Sequence, residues 1–99
     1  MTAVIVHIVV HGRVQGVGYR AFVEREAGKR QLAGWVRNCR DGSVEAVFKG
    51  EPETIEDMID VCRRGPFTAR VDAVNRRDGA EADLKSRLPG QTFSVLSTF

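Results

Sequence analysis

Residues 12–20 have the sequence Gly12-Arg13-Val14-Gln15-Gly16-Val17-Gly18-Tyr19-Arg20. A β-branched run, Val4 to His11, precedes this segment and a helix-like segment follows it, so it joins a first strand to a first helix. Its three glycines allow positive φ and close approach of a ligand to the backbone amides. A helix start attracts anions, and the planar guanidinium of Arg20 suits phosphate oxygens. We therefore predict a phosphate-binding loop with Arg20 at its centre.

Hydrophobic periodicity and turn signals divide the rest of the chain into further helices and strands. Helices are predicted over Arg20 to Gln31 and over 52–64. Strands are predicted over Leu32 to Cys39, Ser43 to Lys49, Ala69 to Asn75 and Thr92 to Phe99. The first two of these strands are joined by Arg40-Asp41-Gly42, a hairpin turn in which glycine accepts the positive φ. Residues 79–91 are polar and ambiguous, with a short helical turn expected over Ala82 to Arg87.

This order, β-α-β-β-α-β with an extra terminal strand, predicts an α+β fold of the ferredoxin-like split βαβ type. We expect an antiparallel sheet of four to five strands with two helices on one face. With 99 residues, 42% of them hydrophobic and 28% charged, the chain is expected to form a single globular domain over residues 1–99. Because unrelated functions share this fold, the fold alone assigns no chemistry.

Composition and charge indicate in which cellular compartment the protein works and which kinds of partner it binds. No run approaches the roughly 20 apolar residues of a membrane helix, and the first ten residues lack signal-peptide features. We therefore expect a cytoplasmic monomer in which Cys39 and Cys62 are free thiols, Cys62 in the core. The net charge of +2 does not argue for nucleic acid. Residues 1–40 carry a balance of +5 and residues 41–99 one of −3, which favours a small anion near the glycine loop, although scattered solvated charges explain the same asymmetry.

Two segments together resemble the signatures of the acylphosphatase family. The first is residues 12–20, and the second is Gly34-Trp35-Val36-Arg37-Asn38-Cys39-Arg40-Asp41-Gly42-Ser43-Val44, extended to Gly50. The resemblance implies an enzyme that hydrolyses acyl phosphates to carboxylate and inorganic phosphate, without metal, cofactor or covalent intermediate. It implies that Arg20 binds the phosphate and that Asn38 holds the attacking water. The amides that would surround the phosphoryl oxygens belong to Gln15, Gly16, Val17, Gly18 and Tyr19.

The implied chemistry is consistent with these residue types, because an acyl phosphate already carries a good leaving group. Phosphoryl transfer is catalysed mainly by positioning and electrostatics, which Arg20 and the loop amides can supply. The carboxamide of Asn38 both donates and accepts, so it can orient a water without deprotonating it. Neither segment contains a convincing general base. We expect the proton of the water to pass to the phosphate or carboxylate of the substrate itself.

Other interpretations of the same residues stay open at this point. In a purely structural one, Arg20 is a helix-surface charge, Asn38 begins the hairpin turn and the glycines form a turn without a ligand. In another, the domain binds small phosphates or carbamoyl phosphate without catalysis. An RNA-binding domain of this fold needs aromatic side chains exposed on its central strands, whereas Phe48 is predicted to face the core. We therefore expect an acyl phosphate as partner, with no nucleic acid and no membrane.

The remaining candidates have structural explanations. Strand geometry places His7 and His11 about 13 Å apart, too far to share a metal, so packing or surface roles are expected. Trp35 is predicted to pack beside the hairpin. Arg13 and Arg37 are predicted to be solvated charges, with Arg13 within reach of the acyl end of a substrate.

Cys39 is a departure from the family pattern, in which a threonine or another hydroxyl residue often follows the asparagine. A thiol is a weaker hydrogen-bond partner than a hydroxyl. We therefore expect weaker support for Asn38, with activity altered and not lost.

Overall fold

The computed structural model describes residues 2–99, in which strands and helices follow one another in the predicted order. The strands are β1 (Val4–Arg13), β2 (Ala33–Asn38), β3 (Val44–Gly50), β4 (Arg70–Asp78) and β5 (Phe93–Val95). The α-helices are α1 (Tyr19–Lys29) and α2 (Pro52–Arg64), and a 3₁₀ helix (Glu81–Ser86) lies between β4 and β5. Each predicted element is therefore present, with changes only at its ends.

The five strands form one sheet in the order β4-β1-β3-β2-β5. β1 pairs antiparallel with β3 and β4, and β2 pairs antiparallel with β3. β5 runs parallel to β2, with Gly34 opposite Phe93 and Val36 opposite Val95. The predicted α+β, ferredoxin-like class is confirmed. The sheet differs from the predicted antiparallel one only in its fifth strand, whose parallel pairing makes the sheet mixed.

The direction of β5 follows from where β4 ends. Asp78, the last residue of β4, lies opposite Val6 near the start of β1, at the end of the sheet where β2 also begins. Residues 79–92 cross to the far edge at this same end. β5 therefore starts beside the start of β2 and runs in the same direction.

The main core lies between the two α-helices and one face of the sheet. Alternate residues of β1 point into it (Val6, Ile8 and Val10), as does Phe48 of β3. The helices contribute apolar residues at helical spacing, namely Val23, Ala27, Ile55, Met58, Ile59 and Cys62. Both helices thus lie on one face of the sheet, as predicted.

A second, smaller cluster covers part of the opposite face. Trp35, Val47 and Leu84 are buried together there, and the indole N–H of Trp35 donates to the carbonyl of Asp83 at 2.6 Å. The predicted packing role of Trp35 is confirmed, and so is a helical turn within residues 79–91. Cys39 and Cys62 are both free, as expected. No helix within residues 2–99 has the length and apolarity needed to span a bilayer.

Candidate active site

The β1–α1 loop has the backbone conformation that its glycines predict. Gly16 has φ 72° and Gly18 has φ 80°, both in the left-handed region that favours glycine. Gly18 caps α1, whose first turn has neither a side-chain cap nor an acidic residue. The first N–H groups of the helix are therefore available to an anion. No heavy atom lies within 4 Å of an added Cβ at Gly16 or Gly18, so both glycines face open space.

One side chain connects this loop to the β2–β3 hairpin. The amide nitrogen of Gln15 donates to the carbonyl of Cys39 at 2.7 Å and to the carbonyl of Ser43 at 2.8 Å. These carbonyls lie on either side of the hairpin turn. Gln15 was predicted to contribute only its backbone amide, and its side chain fixes the distance between the glycine loop and the hairpin that carries Asn38.

Two further hydrogen bonds hold the loop from its other side. The hydroxyl of Thr68 donates to the carbonyl of Val17 at 2.8 Å, and the buried hydroxyl of Tyr19 donates to the carbonyl of Cys62 at 2.7 Å. Burial is the main cause of the strongly raised pKa of Tyr19. Tyr19 is thus a neutral anchor between the first turn of α1 and the end of α2.

A cleft of about 390 Å³ opens at the mouth of the loop. It brings together Arg20 and Asn38, which come from different elements, with Gly16 and Gly18. Gln15, Val17 and Tyr19, whose amides were also predicted to bind phosphate, are not among the residues that line the cleft. The side chains of Gln15 and Tyr19 form hydrogen bonds elsewhere. A larger cavity of about 480 Å³ near the start of α2 is lined by Thr2, Glu51, Pro52, Glu53 and Thr54, without a basic residue, and does not suit an anion.

Arg20 is held by a backbone carbonyl and not by an acid. Its Nη1 donates to the carbonyl of Leu96 at 3.1 Å, just beyond β5. Within residues 2–99 no carboxylate forms an ion pair with this guanidinium. The side chain is therefore oriented while its charge stays available to a bound anion.

Asn38 is the last residue of β2, where it pairs with Val44. Its backbone carbonyl accepts the N–H of Phe99 at 2.9 Å. Its carboxamide has no hydrogen-bond partner among the residues that the structure describes, although it lines the cleft. Both a donor and an acceptor are thus free to hold a water in the cleft.

The hairpin turn after Asn38 is ordered by its own polar groups. A carboxylate oxygen of Asp41 accepts the backbone N–H of Ser43 at 3.0 Å and its hydroxyl at 2.6 Å, and Gly42 has φ 93°. The thiol of Cys39 lies 3.8 Å from the carboxylate of Glu45 and makes no hydrogen bond with Asn38 in the described chain. Burial raises the pKa of this thiol, so it is neutral near pH 7. The backbone carbonyl of Cys39 accepts from Gln15, while its sulfur contacts Glu45 on the other strand of the hairpin.

Arg37 is not the solvated charge that was predicted. Its Nε donates to Glu45 at 2.7 Å, and its guanidinium lies over the rings of Trp35 and Phe99, 4.6 and 4.0 Å from their centroids. The other carboxylate oxygen of Glu45 is 2.5 Å from Nε2 of His7. Burial raises the pKa of Glu45, but the hydrogen bonds from His7 and Arg37 outweigh this and hold it below its usual range. His7 thus has the packing role that was expected.

Two other candidates lie outside the cleft. Arg13 is exposed and is not one of the residues that line the cleft, so its predicted reach toward a substrate has no support. Within residues 2–99 no three His, Cys, Asp or Glu side chains are grouped as a metal site would require.

Comparison with known proteins extends over nearly the whole chain. The acylphosphatase family model matches residues 6–90. Over 98 residues the chain is 52% identical to an acylphosphatase of Rhodopseudomonas palustris strain BisB18 and 50% identical to one of Bradyrhizobium diazoefficiens, with 99% of the chain and of each relative covered. The crystal structure of acylphosphatase from Bacillus subtilis has 34% identity and a TM-score of 0.80, with 96% of this chain and 99% of that one covered. The likeness therefore includes the sheet and both helices as well as the two motif segments.

Proposed function

This chain belongs to the acylphosphatase family and is an enzyme that hydrolyses acyl phosphates, and from this premise we propose how its cleft carries out the reaction. The phosphoryl group binds to Arg20 and to the backbone amides of residues 15–19, and Asn38 holds the attacking water. One observation carries the proposal: Arg20 and Asn38 line a single cleft with the two open glycines of the loop.

Arg20 supplies the charge that the transition state needs. In phosphoryl transfer, negative charge is spread over the three equatorial oxygens, and catalysis depends on groups placed in advance to meet it. The carbonyl of Leu96 orients the guanidinium without neutralising it. The free N–H groups at the start of α1 and in the loop add donors for the remaining oxygens.

Asn38 supplies position. Its free carboxamide oxygen accepts a hydrogen bond from one O–H of the water. This orients the water so that a lone pair of its oxygen points at phosphorus. The water oxygen bonds to phosphorus as the bond between phosphorus and the carboxyl oxygen breaks. The carboxylate leaves, and the proton of the water passes to the substrate's own phosphate or carboxylate. The gain from Asn38 is therefore in the rate of the chemical step more than in phosphate affinity.

The experiment separates these two roles. We would measure hydrolysis of benzoyl phosphate, with excess chelator present, together with inhibition by inorganic phosphate. Arg20→Ala is expected to lose both turnover and phosphate inhibition, because the charge at the centre of the site is gone. Asn38→Ala is expected to keep phosphate inhibition while kcat falls roughly 100-fold or more.

Two exposed residues give matched controls, Arg63→Ala for the arginine change and Asn75→Ala for the asparagine change. Both should retain normal kinetics. Normal turnover by Arg20→Ala would contradict its role, and loss of phosphate inhibition in Asn38→Ala would place Asn38 in the phosphate site instead. Phosphate binding by the wild type without turnover would indicate a binding domain, and loss of turnover on chelation would contradict the metal-free mechanism.

A further inference from the structure

The cleft has more room than a phosphoryl group fills. Its volume of about 390 Å³ equals roughly a dozen waters, at about 30 Å³ of liquid volume each. If phosphate occupies the loop and Arg20 as proposed above, the acyl part of the substrate extends over the rest of the lining. That part consists of Ala21 and Glu24 on α1 and Val95 on β5.

The geometry of α1 directs the side chain of Glu24 back toward the phosphate site. Glu24 follows Arg20 by four residues, so the two lie on the same helix face, about 6 Å apart along the axis. Helical side chains lean toward the N-terminus and cover the preceding turn. Glu24 accordingly lines the cleft together with Arg20 and Ala21.

No other side chain of the described residues is paired with Glu24. It is exposed, and it has no hydrogen bond or ion pair within the described residues. Glu26, two residues further along, is held instead by Lys29 and Arg30, each at 3.0 Å. Among the described residues that line the cleft, Glu24 is the single acid and Arg20 the single base. The phosphate end of a bound acyl phosphate would thus lie beside the positive charge of Arg20, and its acyl part beside the negative charge of Glu24.

We propose that Glu24 determines which acyl groups the enzyme prefers, favouring acyl phosphates with a neutral or cationic acyl part over those with a second anionic group. The cause is direct Coulomb interaction between the carboxylate and the charge on the acyl part. The apolar side chains of Ala21 and Val95 accept the carbon skeleton in either case. The proposal rests on the proposed function only for the place where the phosphoryl group binds.

Three substrates of the same ring size test this role: benzoyl phosphate, 4-carboxybenzoyl phosphate and 4-(trimethylammonio)benzoyl phosphate. For each enzyme, kcat/KM for a charged substrate is divided by kcat/KM for benzoyl phosphate. Glu24→Gln should raise the carboxylated-to-neutral ratio about threefold to tenfold and lower the cationic-to-neutral ratio by a similar factor. Glu24→Lys should shift both ratios further. The changes should shrink at about 1 M salt, where charges are screened beyond roughly 3 Å.

The ratio of two kcat/KM values does not depend on how much of a variant is folded, so partial unfolding leaves it unchanged. The control is Glu53→Gln, which removes the same charge from an exposed glutamate on α2, outside the cleft. Unchanged ratios in both Glu24 variants, or equal changes in Glu53→Gln, would overturn the proposal. Arg20→Ala is run in parallel, because normal turnover there contradicts the proposed function, whereas unchanged ratios contradict only the role of Glu24.

Discussion

Gln15 shows how a single side chain joins two parts of the site. Its amide group bonds to the carbonyls of Cys39 and Ser43, on either side of the turn that follows Asn38. The side chain of Gln15 therefore connects the loop that would bind phosphate to the hairpin that carries Asn38. A displacement of about 1 Å between reacting groups is enough to lower a rate about 100-fold, so we expect this link to have a kinetic role as well as a structural one.

Gln15→Met tests the link, because methionine has a similar volume and no N–H donor. We expect the free energy of unfolding to fall by about 1–2 kcal/mol, since two partly buried carbonyls lose a donor. We also expect kcat to fall at least roughly tenfold, with a smaller change in KM, because Asn38 shifts relative to the loop. Urea denaturation and steady-state kinetics measure both. The same change at exposed Gln31 should affect neither, and unchanged kcat in Gln15→Met would show that the hairpin keeps its position without the link.

At this scale, the sequence predicts residues that belong to a local motif and misses those whose partners are distant. Arg20 and Asn38 were expected from their motif segments, and the structure brings them to one cleft. The carbonyl that orients Arg20 belongs to Leu96, in a segment that carries no motif. From the sequence, Arg37 resembles an ordinary surface arginine. Only the fold places Glu45 and two aromatic rings around it.

Among the elements, the β2–β3 hairpin depends on a charged group on the sheet face opposite the α-helices. Glu45 of β3 accepts hydrogen bonds from Arg37 of β2 and from His7 of β1, so it joins three adjacent strands. The ionised carboxylate is favoured in the folded state, because its pKa lies below the usual value there. Its contribution to stability is therefore complete above the unfolded pKa, about 4.3, and is lost as pH falls through the lower folded pKa.

Glu45→Gln is expected to lower the free energy of unfolding near pH 7 by about 1.5–3 kcal/mol, the range for hydrogen bonds to a charged group. The difference from the wild type should narrow between pH 5 and pH 3, because the wild type loses its advantage as Glu45 takes up a proton. Urea denaturation of both proteins at a series of pH values measures this difference in the free energy of unfolding. A difference that stays constant over this range would mean that the ionisation of Glu45 does not contribute.

Elements with complete local signals were predicted best. The predicted helix over 52–64 matches α2, since Pro52 lies in its first turn and Gly65 ends it. β4 extends to Asp78, beyond the predicted Asn75, because an edge strand pairs through its backbone even where Arg76 and Arg77 are polar. β5 is shorter than the predicted Thr92 to Phe99, and Leu96 just beyond it gives its carbonyl to a side chain of the site. These differences arise from pairing with other segments, which local periodicity does not encode.

Over the whole molecule, the site is assembled from segments that are far apart in the sequence. The cleft combines the β1–α1 loop, the end of β2 and β5, which meet only when the sheet has formed. β5, the last strand in the sequence, joins the cleft through its parallel pairing with β2. An unfolded chain therefore has no equivalent site for an anion, and binding must be linked to folding.

Inorganic phosphate should consequently raise the thermal stability of the whole molecule. At ten times its Kd, a ligand that binds only the folded state contributes about 1.4 kcal/mol, which corresponds to a rise in Tm of roughly 5–10 °C for a domain of this size. Scanning calorimetry at increasing phosphate concentration measures the shift, with chloride at matched ionic strength to remove general salt effects. Arg20→Ala should abolish the shift and Asn38→Ala should retain it, since of these two side chains only that of Arg20 is proposed to bind the phosphoryl group. An equal shift in Arg20→Ala would mean that phosphate stabilises the fold at another site, and the cleft would no longer be needed to explain it.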